Sequence, residues 1–329
     1  MLNGRKSLIT VLASLALATS VGMIPSGTAQ AKPSVTDVQH RVDRLYHAAE
    51  QASERYNQVH VQLKQMRGDV AALRADEAAQ QQRTEQARRQ VADAIVSDYE
   101  GNSLSAVGQA VVSSDPSQFV SQLSTMSAFN SLQTSRYDSY VTQTKALAIR
   151  QDATSAQLAK VAAFEKAAAA DKATVDKNLA DAKALLGKLQ ADQRQRLAEA
   201  SRGSTPIPAD VPASGRAAIA VHFAMAQIGK PYVYGAAGPN AYDCSGLTMA
   251  AWGAAGVGLS HSSSAQYSEG THISPSQLQP GDLVFYYSPI SHVGMYIGHG
   301  MIVNAENPSA GIRVTGLYSM PFVGAVRPG

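Results

Sequence analysis

The sequence predicts two parts built on different physics: a long antiparallel α-helical coiled coil, then an α+β domain with helices packed on an antiparallel sheet. Three observations lead there. Apolar residues from Val38 to Leu73 recur at alternating steps of four and three, which is the period of a coiled-coil seam. Composition breaks near residue 204, with five glycines and two prolines in residues 32–204 but seventeen glycines, the only Trp and the only Cys in residues 205–329. That second part also alternates short apolar runs with turn residues, the signature of paired strands.

Taken in order, the N-terminus has a basic start at Arg5 and Lys6, an uncharged apolar run from Leu8 to Ile24, and a small-x-small triplet, Ala29-Gln30-Ala31. This is the grammar of a secretory signal peptide over 1–31, and it predicts a chain exported to the cell wall or beyond. An uncleaved anchor is the alternative. Lys and Arg total 28 against 25 Asp and Glu, and Arg5 and Lys6 carry two of the three excess charges. With no basic stripe elsewhere, a nucleic-acid partner is not expected.

Residues 32–200 are expected to form the coiled-coil hairpin. Its first seam is Val38, Val42, Leu45, Ala49, Ala52, Tyr56, Val59, Leu63, Met66, Val70 and Leu73. A second, looser seam runs through Leu158, Val161, Ala168, Val175, Leu179, Ala182, Leu186 and Leu189, with Glu165 and Lys172 at two of its positions. A helix of 60 residues is roughly 90 Å long, and so long a seam is buried most readily by folding back on itself. The reversal is expected at about residues 99–130, where Gly101 and Asn102 break the first helix and Asp115-Pro116 starts the next. Apolar residues there, Leu104, Val107, Val111 and Val112, pack the hairpin end or dock a partner. Ser201–Gly215, with three prolines, reads as a linker.

The chemistry is expected in residues 216–329. Ala218 onward reads as an amphipathic helix ended by Gly229, with Lys230 in its last turn, followed by the extended "PYVYG". In "YDCSGLTMAAW", Asp243 can cap a helix whose first turn holds Cys244, Ser245 and Gly246. A thiol there feels the positive end of the helix dipole, which favours the thiolate, and the nearby amides can bind an oxyanion. A buried, inert Cys244 is the plain alternative. A thiolate nucleophile needs an imidazole. His292, on a strand expected over Ser291–Ile297, has the best context of the five histidines in this half. A further strand, Met301–Asn307, would set Asn304 across from it if the turn centres on Gly298, so that the amide orients the ring. His299 reads as an exposed turn residue, His261 and His272 as loop residues with His261 bordering a cleft, and His222 as a helix-surface residue. No ligand spacing for zinc and no phosphate loop is found in the sequence, so neither metal nor cofactor is expected.

Together, "GKPYVYG", "YDCSGLTMAAW", "LQPGDLVFYYS" and "SHVGMYIGHGMIVNA" resemble the NlpC-type peptidoglycan endopeptidases, secreted cysteine peptidases of papain-like fold. The resemblance covers about Ala217–Pro328. It implies Cys244 as nucleophile, His292 as general base and acid, and Asn304 at the orienting position, where many members have His. It also places Tyr232, Asp243 and Ser245 in the substrate groove, with Asp243 facing amine or amide groups of a peptidoglycan stem peptide. The implied reaction is hydrolysis of the γ-D-glutamyl–diaminopimelate bond. The coiled-coil half, through its pattern and "DPSQFVSQLSTMSAF", is similar to wall hydrolases controlled by a division-site transporter of the FtsE–FtsX type, which implies a membrane partner at the tip. The rod, tied by a short linker, is expected to localise the enzyme or to lie over the Cys244 groove and autoinhibit it. An inactive wall-binding scaffold and another amidase or acyl transferase on the same fold are the alternative readings.

Overall fold

The computed structural model describes residues 34–100, 116–189, 191–201 and 211–329. The signal peptide expected over 1–31, the apolar tip residues Leu104 to Val112 and most of the expected linker lie outside the described residues.

The heptad pattern becomes two long helices, α1 (Val35–Tyr99) and α2 (Pro116–Gly187), followed by the short α3 (Ala191–Ser201). Cross-helix ion pairs give their sense: Arg55 to Asp171 at 2.8 Å, Arg67 to Glu165 at 3.0 Å and Arg150 to Asp76 at 2.8 Å. Partners rise on one helix as they fall on the other, so the pair is antiparallel. These bridges are exposed, and each is worth only about 0.2–1 kcal/mol. The seam contributes more, with Val38, Val42, Ala182 and Leu189 buried at one end and Leu63, Val70, Ala168 and Val175 along its length. Leu158, expected in the seam, is 38% exposed. Further along, the seam is polar: Gln80 donates to the Gln143 side chain at 2.7 Å, and the Thr84 hydroxyl reaches the Gln143 carbonyl at 3.2 Å.

The second part opens with α4 (Gly215–Met225), which ends one turn earlier than Gly229 predicts. The chain leaves the helix through tight turns, with Gln227 N–H to Ala224 O at 3.1 Å and Ile228 N–H to Met225 O at 3.1 Å. Lys230, expected in the last turn, instead donates to Gln227 Oε1 and to Pro239 O at 2.8 Å. Next come α5 (Cys244–Ala254) and the single turn α6 (Ser263–Gln266). Six strands follow: β1 (Thr271–Ile273), β2 (Leu283–Tyr286), β3 (His292–Gly298), β4 (Met301–Asn307), β5 (Gly311–Gly316) and β6 (Phe322–Arg327). They form one antiparallel sheet in the order β1-β6-β2-β3-β4-β5.

α5 packs across β3 and β4, burying Leu247, Ala251 and Trp252 against Val293, Met295 and Val303. The sheet's turn chemistry is tied down by Asp282, which accepts from Arg327 Nε at 2.7 Å and Nη2 at 2.8 Å while also capping Gln279 N–H at 2.8 Å. At the other end of β2, Tyr286 pairs with His292, and the start of β3 lies beside the start of α5, with Cys244 Sγ 4.0 Å from Ser291 O. Among the described residues, no helix is long and apolar enough to cross a membrane.

Candidate active site

Asp243 caps α5 as its residue type predicts, accepting from Gly246 N–H at 2.7 Å. The glycine is obligatory, because a Cβ at position 246 would meet the Ala236 carbonyl oxygen at 2.2 Å. Cys244 therefore sits in the first turn of the helix, fully buried. Across from it, β3 begins with His292, also fully buried. His292 Nε2 lies 3.1 Å from Asn304 Oδ1.

The strand register explains that contact. Met295 pairs with Val303 and Tyr296 with Ile302, so Asn304 falls beside Gly294 and reaches two residues further along the same face. A side chain at Gly294 would block the reach, since a Cβ there would come within 3.2 Å of the Asn304 Cβ. The amide is itself oriented, with Nδ2 donating to Thr315 Oγ1 at 2.9 Å on β5. Because Nδ2 donates to that hydroxyl, Oδ1 faces the ring, Nε2 carries the hydrogen, and Nδ1 is left to face the site. Cys244, His292 and Asn304 are thus brought together as the sequence predicts, and Thr315 is a positioning residue that the sequence did not reveal.

The sequence left open which part of the rod would lie over the Cys244 groove. The stretch Tyr46–Gln58 of α1 lies on the catalytic half, over the cysteine. Glu50 Oε1 stands 2.6 Å from His292 Nδ1. Glu54 Oε1 accepts from Ser245 Oγ at 2.6 Å and lies 3.6 Å from Cys244 Sγ, while Oε2 accepts from Ser263 N–H at 2.5 Å and Oγ at 2.8 Å. Asn57 donates to Asp243 Oδ2 at 3.2 Å, and Gln58 accepts from Ser264 at 2.9 Å. At the near end, Tyr234 donates to the Tyr46 carbonyl at 2.9 Å, and His47 stacks on Tyr287 with ring centroids 4.1 Å apart. Ala49, Ala52 and Ser53, all buried, leave room for the close approach.

Electrostatics follow from this contact. Burial pushes the Glu50 carboxyl up, but the charge and hydrogen bond of His292, aided by His47, bring it below the usual carboxylate range. Burial lowers the His292 ring, but Glu50 outweighs it and leaves the imidazole more basic than usual. The two form a buried ion pair. Cys244 goes the other way from the sequence expectation. Burial, then the negative charges of Glu54, Glu50 and Asp243, push the thiol well up, and a backbone hydrogen bond from Val293 offsets only part. The helix-terminus argument for a thiolate is overridden here because the site is dry and crowded with carboxylates.

Glu54 is itself raised, by burial first and then by Asp243. Asp243, expected to face substrate, is internally committed to Gly246, to Gly235 N–H at 2.8 Å, and to His261 at 2.8 and 3.0 Å. His261 borders the site through that contact; burial lowers it, but Asp243 leaves it raised. Tyr232 lines both clefts that flank α1, of 320 and 610 Å³, and Cys244 lines neither. His299 sits exposed in its turn.

A helix-borne cysteine facing a strand-borne histidine and an orienting amide, on an antiparallel sheet, places this half in the papain-like class of folds. Residues 229–324 match the NlpC/P60 family, and this half of the chain is an NlpC/P60 domain. A probable endopeptidase of Corynebacterium glutamicum is 43% identical over 122 residues, covering 37% of this chain and 58% of the relative. A probable endopeptidase of Mycobacterium tuberculosis is 42% identical over 107 residues, covering 32% of this chain and 28% of the relative. Among solved structures, the NlpC/p60 domain of the peptidoglycan hydrolase SagA is 34% identical, covering 34% of this chain and 97% of that one, with a TM-score of 0.32. The chain thus spans little more than half the length of the first of these relatives, and less of the second.

Proposed function

We propose that the chain is a cysteine peptidase that hydrolyses peptidoglycan stem peptides, and that α1 holds it closed. The observation that supports this reading is the line Cys244–His292–Asn304, with Glu50 and Glu54 inserted where a substrate would have to lie. In the open enzyme, Nδ1 of His292 would take the Cys244 proton in place of its bond to Glu50. The thiolate would attack the stem-peptide carbonyl, and donors at the start of α5 would stabilise the oxyanion. The imidazolium would then protonate the leaving amine, and the neutral ring would activate water to release the acyl-enzyme. In the closed state none of this runs. Glu50 occupies the nitrogen that must face the sulfur, and the thiol is kept protonated.

The finer reading is cleavage of the γ-D-glutamyl–diaminopimelate bond by a secreted enzyme, with a membrane partner of the FtsE–FtsX type drawing α1 away during wall remodelling and division. The resemblance of the sequence motifs supports it. The test is mass spectrometry of purified muropeptides incubated with the intact chain, with a Glu50→Gln/Glu54→Gln variant, and with that variant carrying Cys244→Ala. An alanyl-glutamate product from the double variant, absent with Cys244→Ala, is expected. Intact muropeptides with every folded protein would favour a wall-binding scaffold instead, and a different fragment would point to another amidase or acyl transferase.

A further inference from the structure

Three kinds of metal-binding atom meet between α1 and the catalytic residues. One ligand atom each from Glu50, Cys244 and His292 lies within 4.8 Å of the other two, and all three residues are buried. We propose that the closed chain binds one soft divalent cation, of which Zn²⁺ is the type, through Glu50, Cys244 and His292, and that the ion clamps α1 onto the catalytic groove. This deepens the reading of α1 as the closing element and rests on it.

The donor set suits such an ion, because thiolate and imidazole are the ligands that select zinc over magnesium or calcium. The second shell is already built. His292 donates Nε2–H to Asn304, whose amide Thr315 fixes in turn, so Nδ1 is aimed into the site in the manner of a ligating histidine. Tetrahedral zinc holds neighbouring N, O and S donors roughly 3.3–3.6 Å apart. The Cys244 Sγ to Glu54 Oε1 distance, 3.6 Å, already matches, which makes Glu54 the nearest group for the fourth position. The 2.6 Å between Glu50 and His292 spans a shared proton and has to widen when an ion replaces it.

Charge argues the same way. Glu50, Glu54 and Asp243 crowd one dry space, faced by the buried imidazole of His292, by His261 and, at the rim, by His47; loss of the thiol proton adds a fourth negative group, and a divalent cation offsets what remains. Binding displaces the thiol proton and the proton between Glu50 and His292 to solvent, and nothing is oxidised or reduced. Because the ligands come from both halves of the chain, the ion binds the closed state better than the open one and shifts the population toward it.

Anaerobic titration of the reduced, intact chain with Co²⁺ tests this without any substrate. One Co²⁺ per chain is expected, with a near-ultraviolet thiolate-to-cobalt band and the visible bands of a tetrahedral site, both bleached by Zn²⁺. Cys244→Ser should lose the thiolate band. Glu50→Gln should weaken binding by at least the about 10–100-fold that loss of even an outer-shell partner costs, with Glu54→Gln as a second check. Absence of a thiolate–cobalt band on the intact chain would overturn the proposal. So would unchanged affinity in both glutamine variants, which would mean binding by the cysteine and histidine without α1. Neither outcome depends on muropeptide hydrolysis, so the metal site and the peptidase reading stand or fall separately.

Discussion

Thr315 shows how far a single hydroxyl can reach into the site. It touches neither Cys244 nor His292, yet it holds the Asn304 amide that faces the imidazole. Thr315→Val keeps the volume and leaves the Asn304 N–H unpaired in a buried place, which costs about 1–3 kcal/mol of stability. In the opened enzyme kcat should fall while KM holds, because a loosened ring slows proton transfer without altering the groove. Steady-state kinetics on a stem peptide decide it, and a change confined to KM would place Thr315 in binding. Gly246 gives a sharper residue-level case. Its Cβ position falls 2.2 Å from the Ala236 carbonyl oxygen, so Gly246→Ala should cost about 1–3 kcal/mol by overpacking. A thermal melt would register this as a lower Tm; an unchanged Tm would mean the α5 terminus shifts freely.

At the scale of elements, α1 serves two masters. Its seam residues face α2, while Glu50, Glu54 and Asn57 face the catalytic half. Their burial is costly unless every polar atom is answered, and here Ser245, Ser263 and His292 answer them. Removing charge from one side of a buried, hydrogen-bonded pair typically costs about 2–5 kcal/mol. Glu50→Gln with Glu54→Gln should therefore raise the open fraction, and with it the activity of the intact chain, by about 30-fold or more. Hydrolysis assays on intact and variant chains measure it, and equal rates would show that α1 does not limit access. This element is also where sequence reading stopped. The heptad period, the Asp243 cap beside Cys244 and the His292–Asn304 pair were legible because each is encoded within about a dozen residues. The meeting of Glu50 with His292 joins positions 242 apart, and charged residues flanking a seam look the same whether they face water or a second domain. The spacing of Glu50, Glu54 and Asn57, four then three, was the one visible trace, beside the small residues Ala49, Ala52 and Ser53. The raised thiol was unreadable for the same reason: the carboxylates responsible lie mostly on the other half of the chain.

For the whole molecule, the question is whether opening melts α1 or moves it as a rod. The hairpin's own ties, Arg55–Asp171, Arg67–Glu165 and the Val38–Leu189 end of the seam, involve the face of α1 turned away from the cysteine. None of them has to break when Glu50 and Glu54 leave their partners. A withdrawal that keeps the hairpin whole therefore loses only the contacts to the catalytic half, and hydrogen exchange can separate the two motions. Ser263 N–H is held directly by Glu54, so its protection reports the closed contact itself. The amides of residues 46–58 are held by the helix, whose register against α2 persists in a rod. In the Glu50→Gln/Glu54→Gln variant, exchange at Ser263 should quicken while that at residues 46–58 stays near its value in the parent chain. Faster exchange throughout residues 46–58 would mean instead that the helix unwinds locally to uncover Cys244, and that opening is a melting of this stretch and not the withdrawal of a rod.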